Sequence, residues 1–139
     1  MAERLDKREV FERDLLKVIS LQPDNGYALN ALGYFLADRN ERLDEAEEYL
    51  TRALELLPDD AAVIDSVGWL YYRQMRYEES IELLRRAHEL FPDPEIAAHL
   101  GEVLWVSGDQ DSASKVWEEA LREDPDDDLL NSVMKKYQP

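Results

Sequence analysis

The spacing of four prolines most constrains what this 139-residue chain can fold into. Pro23, Pro58, Pro92 and Pro125 each follow an amphipathic run and precede an Asp, and they stand 35, 34 and 33 residues apart. Proline cannot continue a helix interior, so each one marks where a structural unit ends and the next begins. Such a chain is expected to fold as an array of similar units, each stacked on its neighbour.

Small residues recur in phase with the prolines. Gly33, Gly68 and Gly101 each follow a proline by nine or ten residues. Two further sets come later in each unit: Ala46, Ser80 and Ala113, and then Ala53, Ala87 and Ala120. A glycine inside a helix costs about 1 kcal/mol relative to alanine, so three at equivalent places need a compensating gain. We expect them to let the two helices of each unit pack closely.

This pattern resembles the tetratricopeptide repeat, a unit of about 34 residues folded as two antiparallel helices. The resemblance implies an all-α fold, an α-solenoid of about three tetratricopeptide helix pairs with an N-terminal helix and a C-terminal capping helix. First helices are predicted near 26–38, 61–73 and 95–107, and second helices near 43–56, 77–90 and 110–123. The predicted units are 1–24 (N-terminal helix or half-repeat), 25–60, 61–93 and 94–127 (repeats one to three) and 128–139 (capping helix).

The two flanking segments have apolar stripes of their own. Residues 3–21 carry Leu5, Phe11, Leu15 and Val18 on one helical face, which indicates either a helix that closes the array or a half-repeat. The segment from Leu129 to Tyr137 predicts a short final helix that covers the third repeat.

The charge of the chain excludes several classes of partner. Sixteen Lys and Arg stand against thirty-two Asp and Glu, for a net charge of −16. This argues against binding to nucleic acid, which needs clustered basic residues, and against binding to anionic lipid. No run of about 18 apolar residues is present, and Glu3 and Arg4 stand where a signal peptide would need an apolar core. We therefore expect no direct membrane contact, while the absence of cysteine leaves the compartment open.

The sequence offers little that could support catalysis or metal binding. His88 and His99 are eleven residues apart on different predicted helices and form no ligand pair. The alternating Asp124, Asp126 and Asp128 lack the glycine of a calcium loop. His99 and Glu102 could share a hydrogen bond, but no nucleophile or oxyanion donor accompanies them. We expect a non-enzyme without metal or cofactor.

In tetratricopeptide arrays the first helices line a concave groove, and the resemblance implies which side chains face it. These candidate partner-binding residues are Tyr27, Asn30, Tyr34, Asp65, Trp69, Tyr72, Arg73, His99, Glu102 and Trp105. Trp69 and Trp105 are expected to be exposed in the groove rather than packed against the next repeat, whereas Trp117, Tyr71 and Tyr77 are expected in the core. Aromatic anchors with a few polar groups suit an extended peptide or a partner helix.

The groove chemistry predicts the character of the partner. Tetratricopeptide modules that grip the terminal carboxylate of chaperone tails use Lys, Asn and Arg, whereas the matching residues here are Asn30, Tyr34, Ser66, Glu95 and His99. An anionic tail is therefore a poor ligand. The carboxylates among the groove residues favour a protein or peptide that is neutral or cationic at the contact.

Three segments, followed by Trp117, show a closer resemblance to one group within this family. The segments are Asp24 to Leu36, Asp65 to Tyr72 and His99 to Trp105. They are similar to the carboxyl-terminal repeats of long tetratricopeptide proteins of Gram-negative bacteria. Some of those are outer-membrane lipoproteins, adaptors of a carboxyl-terminal processing protease. The resemblance implies a fragment of such an adaptor, periplasmic or outer-membrane-associated, and otherwise a cytoplasmic protein.

We expect a non-catalytic protein-interaction scaffold. Two alternatives stay open at this point. A small-molecule or lipid-binding solenoid would need a closed pocket, and a structural spacer would need no site at all.

Overall fold

The computed structural model describes residues 6–138, which form eight helices and no strand. The helices are α1 (Lys7–Leu21), α2 (Gly26–Asp38), α3 (Leu43–Leu56), α4 (Ala61–Arg73), α5 (Tyr77–Leu90), α6 (Pro94–Ser107), α7 (Gln110–Glu123) and α8 (Asp128–Tyr137). The predicted all-α solenoid is confirmed. The six repeat helices have the predicted bounds, except that α6 begins at Pro94, one residue earlier, because Asp93 caps it.

The helices pack as three successive pairs. α2 packs on α3, α4 on α5 and α6 on α7, and each first helix also contacts the first helix of the next pair. Within residues 6–138 the backbones of the second helices α3, α5 and α7 do not approach one another as closely. The array therefore curves with α2, α4 and α6 on its inner, concave wall.

The close packing predicted for the glycines is confirmed. A Cβ atom at Gly68 would lie 2.8 Å from Cγ of Leu84, and a Cβ at Gly33 or Gly101 would collide with Leu50 or Trp117. The Ser80 hydroxyl adds a hydrogen bond to the Gly68 carbonyl oxygen at 2.7 Å, a contact that the pattern of small residues does not reveal. Each glycine thus marks the point where two helices of a pair touch.

Helix starts and turns follow local chemistry. The side chains of Asn25, Asp60 and Asp93 accept hydrogen bonds from backbone N–H groups in the first turns of α2, α4 and α6. The turn between the helices of each pair contains positive φ angles, at Asn40 (55°) and Arg42 (46°) in the first pair, Met75 (63°) in the second and Gly108 (110°) in the third. Each turn therefore reverses the chain within a few residues.

The terminal helices differ in how firmly they pack. α1 contacts α2 and buries none of its residues, and Phe11 and Val18 are exposed. Leu5, predicted on the same stripe, lies outside the described residues. α8 packs against α6 and α7 and buries Leu130 and Val133, as predicted for a helix that covers the third repeat. No helix within residues 6–138 has the length and apolarity needed to cross a membrane.

Candidate functional site

An ion pair lies buried in the concave wall between repeats two and three. Asp65 on α4 and His99 on α6 are 5% and 6% exposed. The two carboxylate oxygens of Asp65 lie 2.9 and 3.1 Å from Nδ1 of His99. Both residues were predicted to face a partner in the groove. The structure corrects this, because each satisfies the other and neither offers much surface.

Tyr34 and Glu95 extend this pair toward solvent. The Tyr34 hydroxyl on α2 donates to Oε1 of Glu95 at 2.9 Å, and its oxygen lies 3.4 Å from Nε2 of His99. The series of contacts from Asp65 through His99 and Tyr34 to Glu95 thus links three successive repeats. We name these four residues the inter-repeat cluster.

The geometry of the inter-repeat cluster favours a protonated His99. Nδ1 faces a carboxylate, and Nε2 faces an oxygen whose own proton goes to Glu95, so both nitrogens have acceptors beside them. Burial lowers the pKa of His99, but the hydrogen bond and charge of Asp65, with the charges of Glu95 and Asp38, outweigh burial and raise it. Burial first, and then the charge of Glu95, raises the pKa of the Tyr34 phenol.

Trp69 is buried, contrary to the predicted exposure in the groove. Its ring is 4% exposed and stacks on the imidazole of His99, with 4.1 Å between the ring centroids. Its indole N–H donates to Oδ1 of Asp38 at 3.2 Å. Trp69 is buried because the next repeat supplies the flat, cationic imidazole of His99, on which the indole ring packs. Trp69 therefore supports the wall, and a partner cannot reach most of its surface.

Arg73 donates its hydrogen bonds to the end of a neighbouring helix. Its guanidinium donates to the carbonyl oxygens of Ala37 and Asp38, at 3.0 and 2.7 Å, and it lies 5.0 Å from the centroid of Trp69. These carbonyls lie at the end of α2, where a helix leaves carbonyl oxygens without its regular hydrogen bonds. Arg73 is thus committed to joining repeats one and two, although a quarter of its side chain stays exposed.

Three further predicted residues, Tyr72, Glu102 and Trp105, keep surface that a partner can touch. Tyr72 and Glu102 are partly buried, and burial, then the charge of Glu102, raises the pKa of Tyr72. Trp105 is also partly buried, because its ring packs against the rings of Trp117 on α7 and Tyr137 on α8. The accessible concave surface therefore has tyrosine and tryptophan faces beside carboxylates.

Two predicted residues lie near the first turn. Tyr27, at the start of α2, is 67% exposed and borders an open surface formed by residues 22–26 and Leu56. Asn30 is partly buried, and its side-chain oxygen has no hydrogen-bond partner within residues 6–138. Trp117 is fully buried, as predicted, and Tyr71 and Tyr77 pack against the core.

Three ligand-type side chains of the inter-repeat cluster come close together. One ligand atom each from Asp65, Glu95 and His99 lies within 4.8 Å of the others, so these residues could in principle share a metal ion. Sequence reasoning missed the grouping because the residues come from two repeats. We interpret it as a hydrogen-bonded cluster, since Asp65 already bonds Nδ1 and Glu95 already bonds Tyr34.

The fold and the concave wall define a helical-repeat solenoid, a class whose members generally bind other proteins. Models of the tetratricopeptide repeat match residues 24–93 and 68–128. The chain belongs to the tetratricopeptide repeat family. A TPR repeat-containing protein of Pseudomonas aeruginosa is 47% identical over 102 residues, which are 73% of this chain. The chain matches only 17% of that relative's length.

Solved structures support the fold. A thermophilic TPR protein of Thermus thermophilus superposes with a TM-score of 0.76 at 23% identity, covering 88% of this chain and 71% of that one. An O-GlcNAc transferase of Thermobaculum terrenum gives 0.73 at 27% identity, covering 81% of this chain and 22% of the transferase. MamA from Desulfovibrio magneticus gives 0.71 at 22% identity, covering 86% and 70%. At such identities the likenesses to MamA and to the Thermus protein concern the fold alone.

Proposed function

We propose that the concave wall binds an extended peptide or a helix of a partner protein, and that the chain acts as a non-catalytic scaffold. The observation that carries this is the row of accessible aromatic and acidic side chains on α2, α4 and α6. Tyr34, Tyr72 and Trp105 each present part of a ring, and Glu95 and Glu102 lie beside them. Large rings at a fixed spacing anchor a partner at low entropic cost.

The rigid wall behind these rings supports the proposal. The buried Asp65–His99 pair and the Trp69 ring hold neighbouring repeats in one arrangement before any partner arrives. A site that is already ordered loses less entropy on binding. The exposed Glu95 and the partly buried Glu102 favour a neutral or cationic segment at the contact.

Photo-crosslinking tests which face binds. A photoreactive phenylalanine is placed at Ala62, exposed on α4, or at Glu82, exposed on the outer helix α5. Both proteins are incubated with lysate from cells that make the chain, and adducts are identified by mass spectrometry. We expect a protein adduct from position 62 that position 82 does not give. Equal adducts from both positions, or adducts from position 82 alone, would contradict binding at the concave wall.

Charge reversals test the character of the partner. The double variant Glu95→Lys and Glu102→Lys is expected to slow association with the captured partner, because long-range attraction to the groove is lost. Glu78→Lys with Glu82→Lys, on the exposed outer face of α5, makes the same charge change and should have little effect. Asp65 is unsuitable for a reversal because it is buried against His99.

We also propose a cellular role from the resemblance to long Gram-negative tetratricopeptide proteins. In this role the chain is part of an adaptor in a periplasmic or outer-membrane-associated proteolytic complex. The similarity to a Pseudomonas protein supports a bacterial source of this kind. Fractionation of cells that make the full-length protein, followed by crosslinking from position 62, tests it. Recovery in the cytoplasmic fraction would overturn the role.

A further inference from the structure

The Tyr34 hydroxyl lies between two groups that can each accept its proton. Its oxygen is 2.9 Å from Oε1 of Glu95 and 3.4 Å from Nε2 of His99. A phenol has a single proton to donate, so it can serve only one of these acceptors at a time. Burial, followed by the charge of Glu95, raises the pKa of Tyr34, so the phenol keeps this proton. The protonation state of His99 therefore decides which acceptor receives it.

His99 has a fixed partner on its other nitrogen. Nδ1 lies 2.9 and 3.1 Å from the two carboxylate oxygens of Asp65, and the ring stacks on Trp69 with 4.1 Å between the centroids. These contacts hold the imidazole in one orientation. A neutral His99 therefore keeps its proton on Nδ1, which faces the carboxylate, and has a lone pair on Nε2, which faces Tyr34.

Two arrangements of hydrogen bonds follow from this geometry. While His99 is charged, Nε2 carries a proton and points it at the Tyr34 oxygen, so Tyr34 donates to Glu95. When His99 is neutral, Nε2 becomes an acceptor, and the Tyr34 hydroxyl can turn its proton away from Glu95 toward the ring. The structure has the shorter distance on the Glu95 side, as the charged arrangement requires.

Charged groups from three helices act on His99. Asp65 on α4, Asp38 on α2 and Glu95 on its own helix α6 each favour the charged ring. Arg73 on α4 lies 4.0 Å from the Asp38 carboxylate and offsets part of that charge. Burial favours the neutral ring. The charged state therefore prevails at low pH and is lost as pH rises through the raised pKa of His99.

Glu95 is the member of the inter-repeat cluster that a partner can reach. It lies in the first turn of α6 and is exposed at the concave wall. A carboxylate that accepts a hydrogen bond from Tyr34 has less capacity to accept one from a partner. Loss of the His99 charge nearby also makes this part of the groove more negative. Both effects strengthen the attraction between Glu95 and a cation when His99 is neutral.

We propose that Tyr34 is a hydrogen-bond switch that holds Glu95 while His99 is charged and releases it to a cationic partner when His99 is neutral. The switch rests on the proposed binding at the concave wall and adds its regulation by pH. Binding should therefore strengthen as pH rises through the titration of His99. Because coupling between two sites is reciprocal, a cation bound at Glu95 favours the neutral ring.

Nuclear magnetic resonance of the protein alone tests the hydrogen bonds. The chain has two histidines, so His88→Gln assigns the imidazole signals. Between about pH 6 and pH 9 we expect His99 to lose its proton from Nε2. The nitrogen signal of the neutral Nε2 should then lie upfield of its position in Tyr34→Phe, because an accepted hydrogen bond moves it upfield.

Three results would overturn the switch. The first is a His99 that stays charged throughout this pH range. The second is a neutral ring that carries its proton on Nε2. The third is a Nε2 signal that Tyr34→Phe leaves unchanged.

The carboxyl carbon of Glu95 reports the other end of the switch. In the wild type its signal should shift with the same midpoint as the titration of His99. Tyr34→Phe keeps the His99 charge but removes the hydroxyl, so only the smaller effect of the charge should remain. Tyr72→Phe, the same change at another partly buried tyrosine of the wall, should leave the full shift in place. Equal shifts in all three proteins would reduce the response to charge alone and overturn the switch.

Crosslinking at position 62 tests the effect on binding. With the photoreactive phenylalanine there, the yield of protein adduct from the lysate should rise about fivefold between pH 6 and pH 9. Glu95→Gln changes an exposed side chain and should abolish the rise. An equal rise in both proteins would overturn regulation through Glu95. No adduct at either pH would contradict binding at the concave wall, whereas the resonance experiments decide the switch on their own.

Discussion

At the residue scale, the Asp65–His99 pair shows how one contact changes the role of several side chains. A buried ion pair gains little over an apolar pair, but removing one partner leaves an unpaired charge and costs about 3–5 kcal/mol. His99 also gives Trp69 a surface to stack on. A polar pair thus converts an aromatic side chain that could have been exposed into part of the wall.

The first prediction concerns Trp69. Trp69→Ala should lower the free energy of unfolding by about 3 kcal/mol, since the ring is buried and removing it leaves a cavity. Urea denaturation measures the change. Tyr27→Ala removes an aromatic ring that is 67% exposed and should change stability by less than about 0.5 kcal/mol. Similar small losses of unfolding free energy in both variants would contradict the burial of Trp69.

The second prediction concerns pH. Because the pKa of His99 is raised above its ordinary 6.5, the pair stabilises the fold fully below pH 6.5 and loses this contribution as pH rises through the raised pKa. The stability difference between the wild type and His99→Gln should therefore shrink from about pH 6 to pH 9. His88→Gln is the matched control. A difference that grows with pH would contradict the protonated state.

The sequence did not reveal which side chains of the wall bond to one another. The resemblance to tetratricopeptide repeats implies that Asp65 and His99 face the groove, whereas the structure has them buried against each other in its wall. The exposure of these side chains depends on contacts between residues of neighbouring repeats, about one repeat length apart in sequence. The pattern of residues within one repeat does not reveal those contacts. An acid in one repeat and a histidine 34 residues later were the available signal. The burial of Trp69 follows only once that pair is known.

At the element scale, the helices were predictable because their signals are local. Caps and prolines mark the starts, and small residues mark the helix contacts. The pocket lined by His88, Ala97 and Glu119 was not predicted, because it lies where three helices meet and its lining residues are distant in sequence. Arg52 and Arg86 bond to the turns at Pro23 and Pro58 in the first two repeats, whereas the third repeat has Glu119 at this position.

The third prediction tests the helix contact at Gly68. Gly68→Ala places a Cβ against Leu84 and should cost about 1–3 kcal/mol, because the helices must separate. In a Leu84→Ala background the clash disappears and the same substitution should cost much less. Denaturant unfolding of the four proteins gives the coupling. If the two effects are additive, the contact does not limit the approach of α4 and α5.

At the scale of the whole molecule, stability is expected to vary along the array. In a repeat protein each unit is held by its neighbours, so a central helix is held from both sides. α4 packs against α2, α3, α5 and α6, whereas α1 contacts α2 and buries no residue. Local opening should therefore be easiest at the N-terminal helix.

The fourth prediction is a gradient of amide hydrogen exchange. Amides of α1 should exchange fastest among the helices, and those of α4 should be among the slowest, because opening α4 disrupts two repeats. Exchange measured by mass spectrometry on peptides from each helix checks this. Equal protection of α1 and α4 would indicate that the array unfolds as one unit.

The hydrogen bonds of the inter-repeat cluster run across the repeats on one side of the array only. Bending that opens the concavity must stretch the contacts from Tyr34 to Glu95 and from Asp65 to His99, whereas bending that closes it need not. On the outer side, Arg76 at the start of α5 donates to Glu47 of α3 at 3.4 Å, and this half-exposed contact adds less resistance. The solenoid is therefore expected to resist straightening more than it resists tighter curvature around a bound partner.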